Sequence, residues 1–341
     1  MQDKTNPQAQ SNQLRGRLPS TDHRAYFHRI SVRFTTLLCL SGLLFSDPHL
    51  TPAAIANNLP LQFANHQGQR QSPQQLWQRL RQAQVIYLGE THTNVADHQA
   101  QLRLIQALHQ RNPRLVIGME MFQRPYQVAI DRYLAGELNE AELLDRTEYK
   151  TRWGFNWELY APILRYAKAQ KIPVVALNTP TEVTRKVGRQ GLNRLNFSDR
   201  RFIPPPSAVK TAPAAYRQML VDIFKNAHHG GSSNPDRFER FFQAQVLWDE
   251  TMAEQITKII QTNQPETQVA VLVGQGHLIY RYGIPWRVDR RFPKPIKQQV
   301  ILLSPNTNQP STDTQGQPIA DLLRIPENGA SQQPAEPIPA K

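Results

Sequence analysis

The chain has 341 residues, 39% of them hydrophobic, a formal charge of +13 at pH 7 and a single cysteine, Cys39. That length can bury a sizeable core, and one cysteine excludes an internal disulfide and a thiolate metal cluster. If the segment carrying Cys39 is removed, a cysteine nucleophile and a thioether-linked prosthetic group are excluded too, so any bound metal must be held by His, Tyr, Asp, Glu or Met.

Residues 1 to about 33 are polar and carry Arg15, Arg17, Arg24, Arg29 and Arg33, and Phe34 to Phe45 is an uncharged, mainly apolar run. Ala54-Ile55-Ala56 offers small residues at a cleavage point, so residues 1–56 resemble a secretory leader. The expected address is exported, periplasmic or extracellular, with an uncleaved membrane anchor as the alternative. Thr36, Leu37 and Leu38 do not form the small-residue box of a lipidated cysteine. Loss of the leader removes six basic and three acidic residues and leaves about +10. With an exported address, no nucleic-acid partner is expected, and the mixed charges read as a solvated basic surface.

In chain order, Ser72 to Gln82 has helical spacing and feeds a first apolar run, Val85 to Leu88, that ends in Gly89-Glu90-Thr91-His92. A helix follows from about Asp97 to Arg111, closed by Asn112-Pro113. The same pattern recurs three times. Leu115 to Met119 runs into Glu120, Pro173 to Leu177 runs into Asn178, and Val269 to Val273 runs into Gly274-Gln275-Gly276-His277. Between them, Gln127 to Leu134 and Glu140 to Arg146 read as helices, and Thr151 to Asn156 as a turn. Trp157, Tyr160, Ile163, Leu164 and Ala167 form one apolar helical stripe, and Gln298 to Ser304 supplies a last strand. The fold class is therefore α/β, a mostly parallel sheet with crossover helices.

A helical insertion, about 180–264, is expected over the sheet edge as the wall or lid of a site, broken by Pro204-Pro205-Pro206 and by a Gly/Ser loop from His228 to Pro235. Its last helix puts Phe238, Phe241, Gln245, Trp248, Met252, Ile256 and Ile259 on one face, with Asp249 beside Gln245. A polar residue in an apolar stripe asks for a buried partner. Residues 57–304 form the domain, and 305–341, rich in Pro, Gln, Asn and Thr with an apolar island at Ile319 to Ile325, read as a disordered tail.

Strand ends in a parallel sheet gather ligand-binding residues, so Glu90, His92, Glu120, Asn178 and His277 are expected to converge. Two imidazoles and two carboxylates on fixed backbone suit a divalent metal, a haem iron or a general base. His98, His109, His228 and His229 read as surface residues, although the glycine-flanked His228-His229 pair could reach a metal.

The two Gly-x-x-His tetrads, with Gly118-Met119-Glu120-Met121-Phe122, Trp157-Glu158-Leu159-Tyr160-Ala161-Pro162 and Ala244-Gln245 through Trp248-Asp249 to Met252-Ala253, resemble the ChaN family of haem-binding uptake proteins. That family (of the DUF399 type) belongs with Tiki, TraB and erythromycin-esterase-like proteins, and the resemblance covers about Leu76 to Ser304. It implies an α/β core, export, haem as cofactor, and a role in haem or iron uptake or carriage. A homodimer and an outer-membrane or surface uptake partner are also implied. The cofactor-binding set it implies is Glu90, His92, Glu120, Arg124, Tyr160, Gln245, Asp249 and His277. A tyrosine is implicated in holding iron in this family, and Tyr160, Tyr126, Tyr149, Tyr280 and Tyr282 are candidates. Trp248, Met252 and Phe241 would suit a large flat apolar ligand. The wider superfamily implies an alternative, a metal-dependent peptidase or esterase. There His92, Glu120 and His277 would hold a divalent ion or act as catalytic groups, with His92 activating water directly or through the metal and Arg124 meeting an anion.

Overall fold

The apolar runs form the strands of one sheet because their side chains are buried on both faces, as a sheet sandwiched between helices requires. The computed structural model describes residues 61–211, 213–227, 235–306 and 309–326. His228, His229 and the leader lie outside the described residues. The strands are β1 (Gln62–Ala64), β2 (Val85–Glu90), β3 (Leu115–Gln123), β4 (Val174–Asn178), β5 (Gln268–Gly274), β6 (Gln298–Leu302) and β7 (Leu322–Ile325). Their order is β1-β7-β6-β2-β5-β3-β4, parallel except for β1 against β7.

Alternation along each strand builds a separate core on each face. Ile86, Leu88, Ile117 and Met119 meet α1 (Pro73–Gln82), α2 (Val95–Arg111), α3 (Gln127–Leu134) and α4 (Glu140–Arg146), with a further short helix α5 (Tyr149–Arg152) and then α6 (Ala161–Gln170). Val85, Tyr87, Val271 and Val300 face the other way, toward α8 (Ala214–Ala227), the long α9 (Pro235–Thr262) and α10 (Ile284–Asp289), with α7 (Thr181–Gln190) packed beside α9. Among the described residues no helix is long and apolar enough to cross a membrane.

Local chemistry sets the helix starts. Ser72 caps α1 in a reciprocal box with Gln75, Asn139 does the same with Glu142 at α4, and Asn94 caps α2. The stretch 151–156, expected as a turn, begins inside α5.

Residues 309–326 depart from the expected disordered tail. Leu322–Ile325 pairs with β6 on one side and β1 on the other, and Arg324 is buried against Asp97 at 3.3 Å while donating to the Leu303 carbonyl. Part of the apolar island is thus a strand, held by nearby β6 and by β1 and Asp97, both more than 200 positions away.

The order of the strands places the site. From β2 the chain moves outward to β3 and β4, returns to insert β5 beside β2, then leaves to β6 on the opposite flank. Such a reversal opens a crevice at the carboxyl ends of the strands. Glu90 ends β2 directly opposite Gly274, which ends β5.

Candidate functional site

Three adjacent strand ends, those of β2, β5 and β3, bring Glu90, His92, Glu120 and His277 together. Asn178, from the end of β4, joins them by donating to the Glu120 carbonyl at 2.8 Å. The site holds two carboxylate–imidazole dyads with Glu120 between them.

In the first dyad His92 Nδ1 lies 2.9 Å from Glu90 Oε1. Glu90 is buried, and Tyr160 Oη (2.7 Å) and Gln101 Nε2 (2.6 Å) donate to its two oxygens. The ring of His92 packs between Trp153 and Phe155, with centroids 4.9 and 4.8 Å away, and its side chain keeps 24% of its surface open. Burial opposes a charge on this imidazole, but the Glu90 hydrogen bond and the Glu120 and Glu90 charges outweigh it and raise the pKa above 6.5. Gly274 makes room for the ring, since a Cβ there would fall 2.9 Å from His92 Cε1.

The second dyad is closed. His277 Nδ1 meets Asp249 Oδ1 at 2.6 Å, and Nε2 lies 3.6 Å from Glu120 Oε1. Asp249 is fully buried, bonded by the Tyr216 hydroxyl and 3.7 Å from the buried Arg287 guanidinium. Burial disfavours charge on His277, yet Glu120 and Asp249 lift its pKa to about 10. Glu120 shows the mirror effect: burial pushes it up, but the His277 and His92 charges and the Gly274 amide, 2.7 Å from Oε2, hold it at about 2.

The dyads open on a cavity of about 1090 Å3, at the large end of ligand pockets (~300–1,000 Å3). Trp153, Phe155, Trp248 and Ile279 give it apolar wall, and α8 adds Met219 and Ile223. The far wall is the segment after Pro305, with Pro310, Thr312 and Asp313. Tyr280 fixes that wall by donating to the Pro310 carbonyl at 2.8 Å, and Tyr282 by donating to Asp313. The wall was not legible in the sequence, because its composition is that of a linker.

Several expected site residues stand elsewhere. Arg124 pairs with Glu254 on α9 at 2.8 Å and does not line the cavity. Arg152 does line it, ion-paired with Glu182 at 2.7 Å. Tyr160 is fully buried behind Glu90, where burial and the Glu90 charge raise its phenol pKa well above 10. Gln245 is buried within α9 and does not line this cavity. Met252 belongs to the core, and Phe241 packs on Phe224, so Trp248 alone of the expected aromatic wall lines the space. Of the candidate tyrosines, only Tyr280 and Tyr282 reach the cavity. His98 is buried, contrary to a surface reading, with Nε2 3.0 Å from the His92 carbonyl oxygen. Among the described residues no group of three His, Cys, Asp or Glu side chains is arranged to hold a metal ion. In the expected trio His92, Glu120 and His277, the Nδ1 of His277 is taken by Asp249 at 2.6 Å and its Nε2 lies 3.6 Å from Glu120 Oε1.

A family model described as haem-binding uptake, Tiki superfamily, ChaN matches residues 76–288, which take in β2 to β5, the helices between α1 and α10, and both dyads. The chain belongs to this family. ChaN of Campylobacter jejuni, in a structure described as showing cofacial haem binding, aligns on this ChaN-family chain with a TM-score of 0.61 at 19% identity. That alignment covers 78% of this chain and 96% of the other, and it shows a shared fold. An erythromycin esterase in its open conformation aligns with a TM-score of 0.41 at 14% identity, over 73% of this chain and 77% of that one. Protein RETICULATA-RELATED 5, chloroplastic, of Arabidopsis thaliana is 25% identical over 268 residues. The match takes in 73% of this chain and 35% of that protein, so the chain spans about a third of the length of the curated relative.

Proposed function

We propose that this ChaN-family protein binds haem in the strand-end cavity, with His92 Nε2 as the iron ligand, and serves haem or iron uptake or carriage. One observation carries the reading: an imidazole whose Nδ1 is engaged by a buried carboxylate stands between two aromatic rings at the mouth of a large, partly apolar cavity. A carboxylate on one ring nitrogen fixes the ring and makes the other nitrogen a better ligand.

The residues present fit a haem. Trp153, Phe155, Trp248 and Ile279 offer apolar surface, and Arg152 stands in the lining with Glu182 and Glu148 as its partners, so a ligand carboxylate would exchange for one of them. Tyr282 is held by Asp313, and burial raises its phenol pKa, so this chain offers imidazole more readily than phenolate. His92 would hold the iron that a bound haem supplies. The leader-like sequence of residues 1–56, basic and then apolar, supports an exported or membrane-anchored site of action. The test is an absorbance titration of the protein with haem. A saturable Soret shift that His92→Ala alters and Tyr282→Phe leaves in place is the expected result. The absence of any saturable shift in either oxidation state overturns the reading.

A second reading is favoured by the paired dyads themselves. His92, oriented by Glu90, would take a proton from water directly, and the charged His277 would stabilise a developing anion, giving metal-independent ester or peptide hydrolysis. Turnover of ester or peptide panels that His92→Ala abolishes would support it. Silence of the wild-type protein across those panels removes it.

A further inference from the structure

The most exposed large apolar side chain in the described residues stands in the middle of the most basic stretch. Phe197 is 95% exposed. Between Thr181 and Lys210 the side chains of Arg185, Arg189, Arg194, Arg200, Arg201 and Lys210 are all exposed. The two acidic residues of the stretch are already paired, Asp199 with Lys186 at 2.5 Å and Glu182 with Arg152 at 2.7 Å. Arg185 and Arg200 also feel Glu182 and Asp199, but seven basic residues against these two carboxylates leave the stretch with a large excess of positive charge.

The local fold holds α7 and the segment around Phe197 together. The Lys186–Asp199 pair ties the turn carrying Phe197 to α7, which carries Arg185 and Arg189. Asp199 also accepts from the Asn196 amide at 2.8 Å, and Asn196 Oδ1 accepts from the Asp199 amide at 2.9 Å, so the turn around Phe197 is closed on itself. Leu195 and Ile203 on either side are buried against Val183, Val187 and Leu247. Phe197 is thus held outward by a turn whose neighbouring apolar residues point in.

From this juxtaposition we infer that the stretch from Arg185 to Lys210 docks on an anionic phospholipid surface, with Phe197 as the inserted apolar anchor. An anionic bilayer offers the two things the patch lacks, negative charge over a wide area and an apolar layer below it. Arginine and lysine stems can lie along the interface while their heads meet phosphates. Single-stranded nucleic acid also attracts cations, but its binding surfaces use several rings to stack successive bases. Here one ring stands alone, and the neighbouring Phe202 is covered by Arg201 at 5.1 Å. The inference is independent of haem binding, although α7 also gives Thr181 and Thr184 to the cavity wall.

The test uses the full chain, with and without vesicles of phosphatidylglycerol and phosphatidylcholine at about 0.1 M salt, near a Debye length of about 10 Å. Any contribution from the N-terminal segment is common to all variants, so the comparison reads the patch alone. Arg194→Glu/Arg200→Glu/Arg201→Glu is expected to weaken vesicle binding at least tenfold, and Phe197→Ser about threefold or more, with melting curves and the haem titration unchanged. In Phe197→Trp, brominated phosphatidylglycerol is expected to quench emission beyond the quenching of the wild-type protein. Equal vesicle binding by wild type and the triple variant overturns the inference, as does an unquenched Trp at position 197. Preferential capture of an oligonucleotide over anionic vesicles by the same patch also overturns it.

Discussion

The two Gly-x-x-His tetrads look alike in sequence, and the structure gives them opposite characters. His277 is locked between Asp249 and Glu120, with a pKa of about 10. His92 has one close carboxylate partner, Glu90, and keeps a quarter of its side chain open to the cavity. The difference comes from what packs behind each ring. Behind His277 lies Asp249, backed by the fully buried Arg287 and Tyr216. Around His92 lie aromatic rings and the space left by Gly274. One imidazole serves as a fixed buried cation, the other as a group that can meet a ligand.

The largest expected effect comes from breaking the closed dyad. Asp249→Ala leaves the charge of His277 under-compensated and Arg287 without one of its partners, and removing one member of a buried pair costs about 3–5 kcal/mol. Chemical unfolding should register that loss. His92→Ala, at the half-open site, should shift the same transition by no more than about 1 kcal/mol.

Two glycines sharpen the contrast. A Cβ at Gly283 would lie 2.2 Å from the His277 carbonyl oxygen, where only backbone movement relieves it, whereas a Cβ at Gly274 meets the movable ring of His92. Gly283→Ala should therefore cost about 2–3 kcal/mol in unfolding experiments. Gly274→Ala should cost about 1 kcal/mol, and it should alter haem spectra because it displaces His92.

The pH dependence of stability follows from the closed dyad. Unfolded, His277 titrates near 6.5 and Glu120 near 4.5, and folding moves them to about 10 and about 2. The raised histidine contributes fully below pH 6.5 and loses its contribution as pH rises through about 10. The depressed glutamate contributes fully above pH 4.5 and loses it as pH falls through about 2. Denaturant midpoints should be highest between about pH 4.5 and 6.5 as far as this pair is concerned, and Glu120→Gln should flatten both limbs. An unchanged profile in Glu120→Gln would break the assignment.

The parts of this arrangement that were legible in the sequence were those written in contiguous residues. Apolar runs such as Val85 to Leu88 and Val269 to Val273 announce buried strands, and polar residues at their ends announce a strand-end cluster. The two strands at the β1 flank of the sheet were not legible: Gln62–Ala64 is three residues long, and Leu322–Ile325 sits in linker-like composition, stabilised by the distant Asp97–Arg324 pair. Asp249 could be singled out as polar beside an apolar stripe, but its partners Tyr216 and Arg287 come from other helices, and no spacing rule connects them. Arg124 misled because it follows Glu120 closely, yet its side chain turns to Glu254.

The most direct test of the division between the two imidazoles is a haem titration of wild type and His92→Ala at one pH, read by the Soret band and by electron paramagnetic resonance, with a melting curve for each. The division predicts that His92→Ala weakens binding at least tenfold or changes the axial-ligand signature, while the melting temperature stays within a few degrees of wild type. A His92→Ala protein with wild-type affinity and a wild-type signature would contradict it, and the iron ligand would then have to be sought elsewhere on the cavity wall.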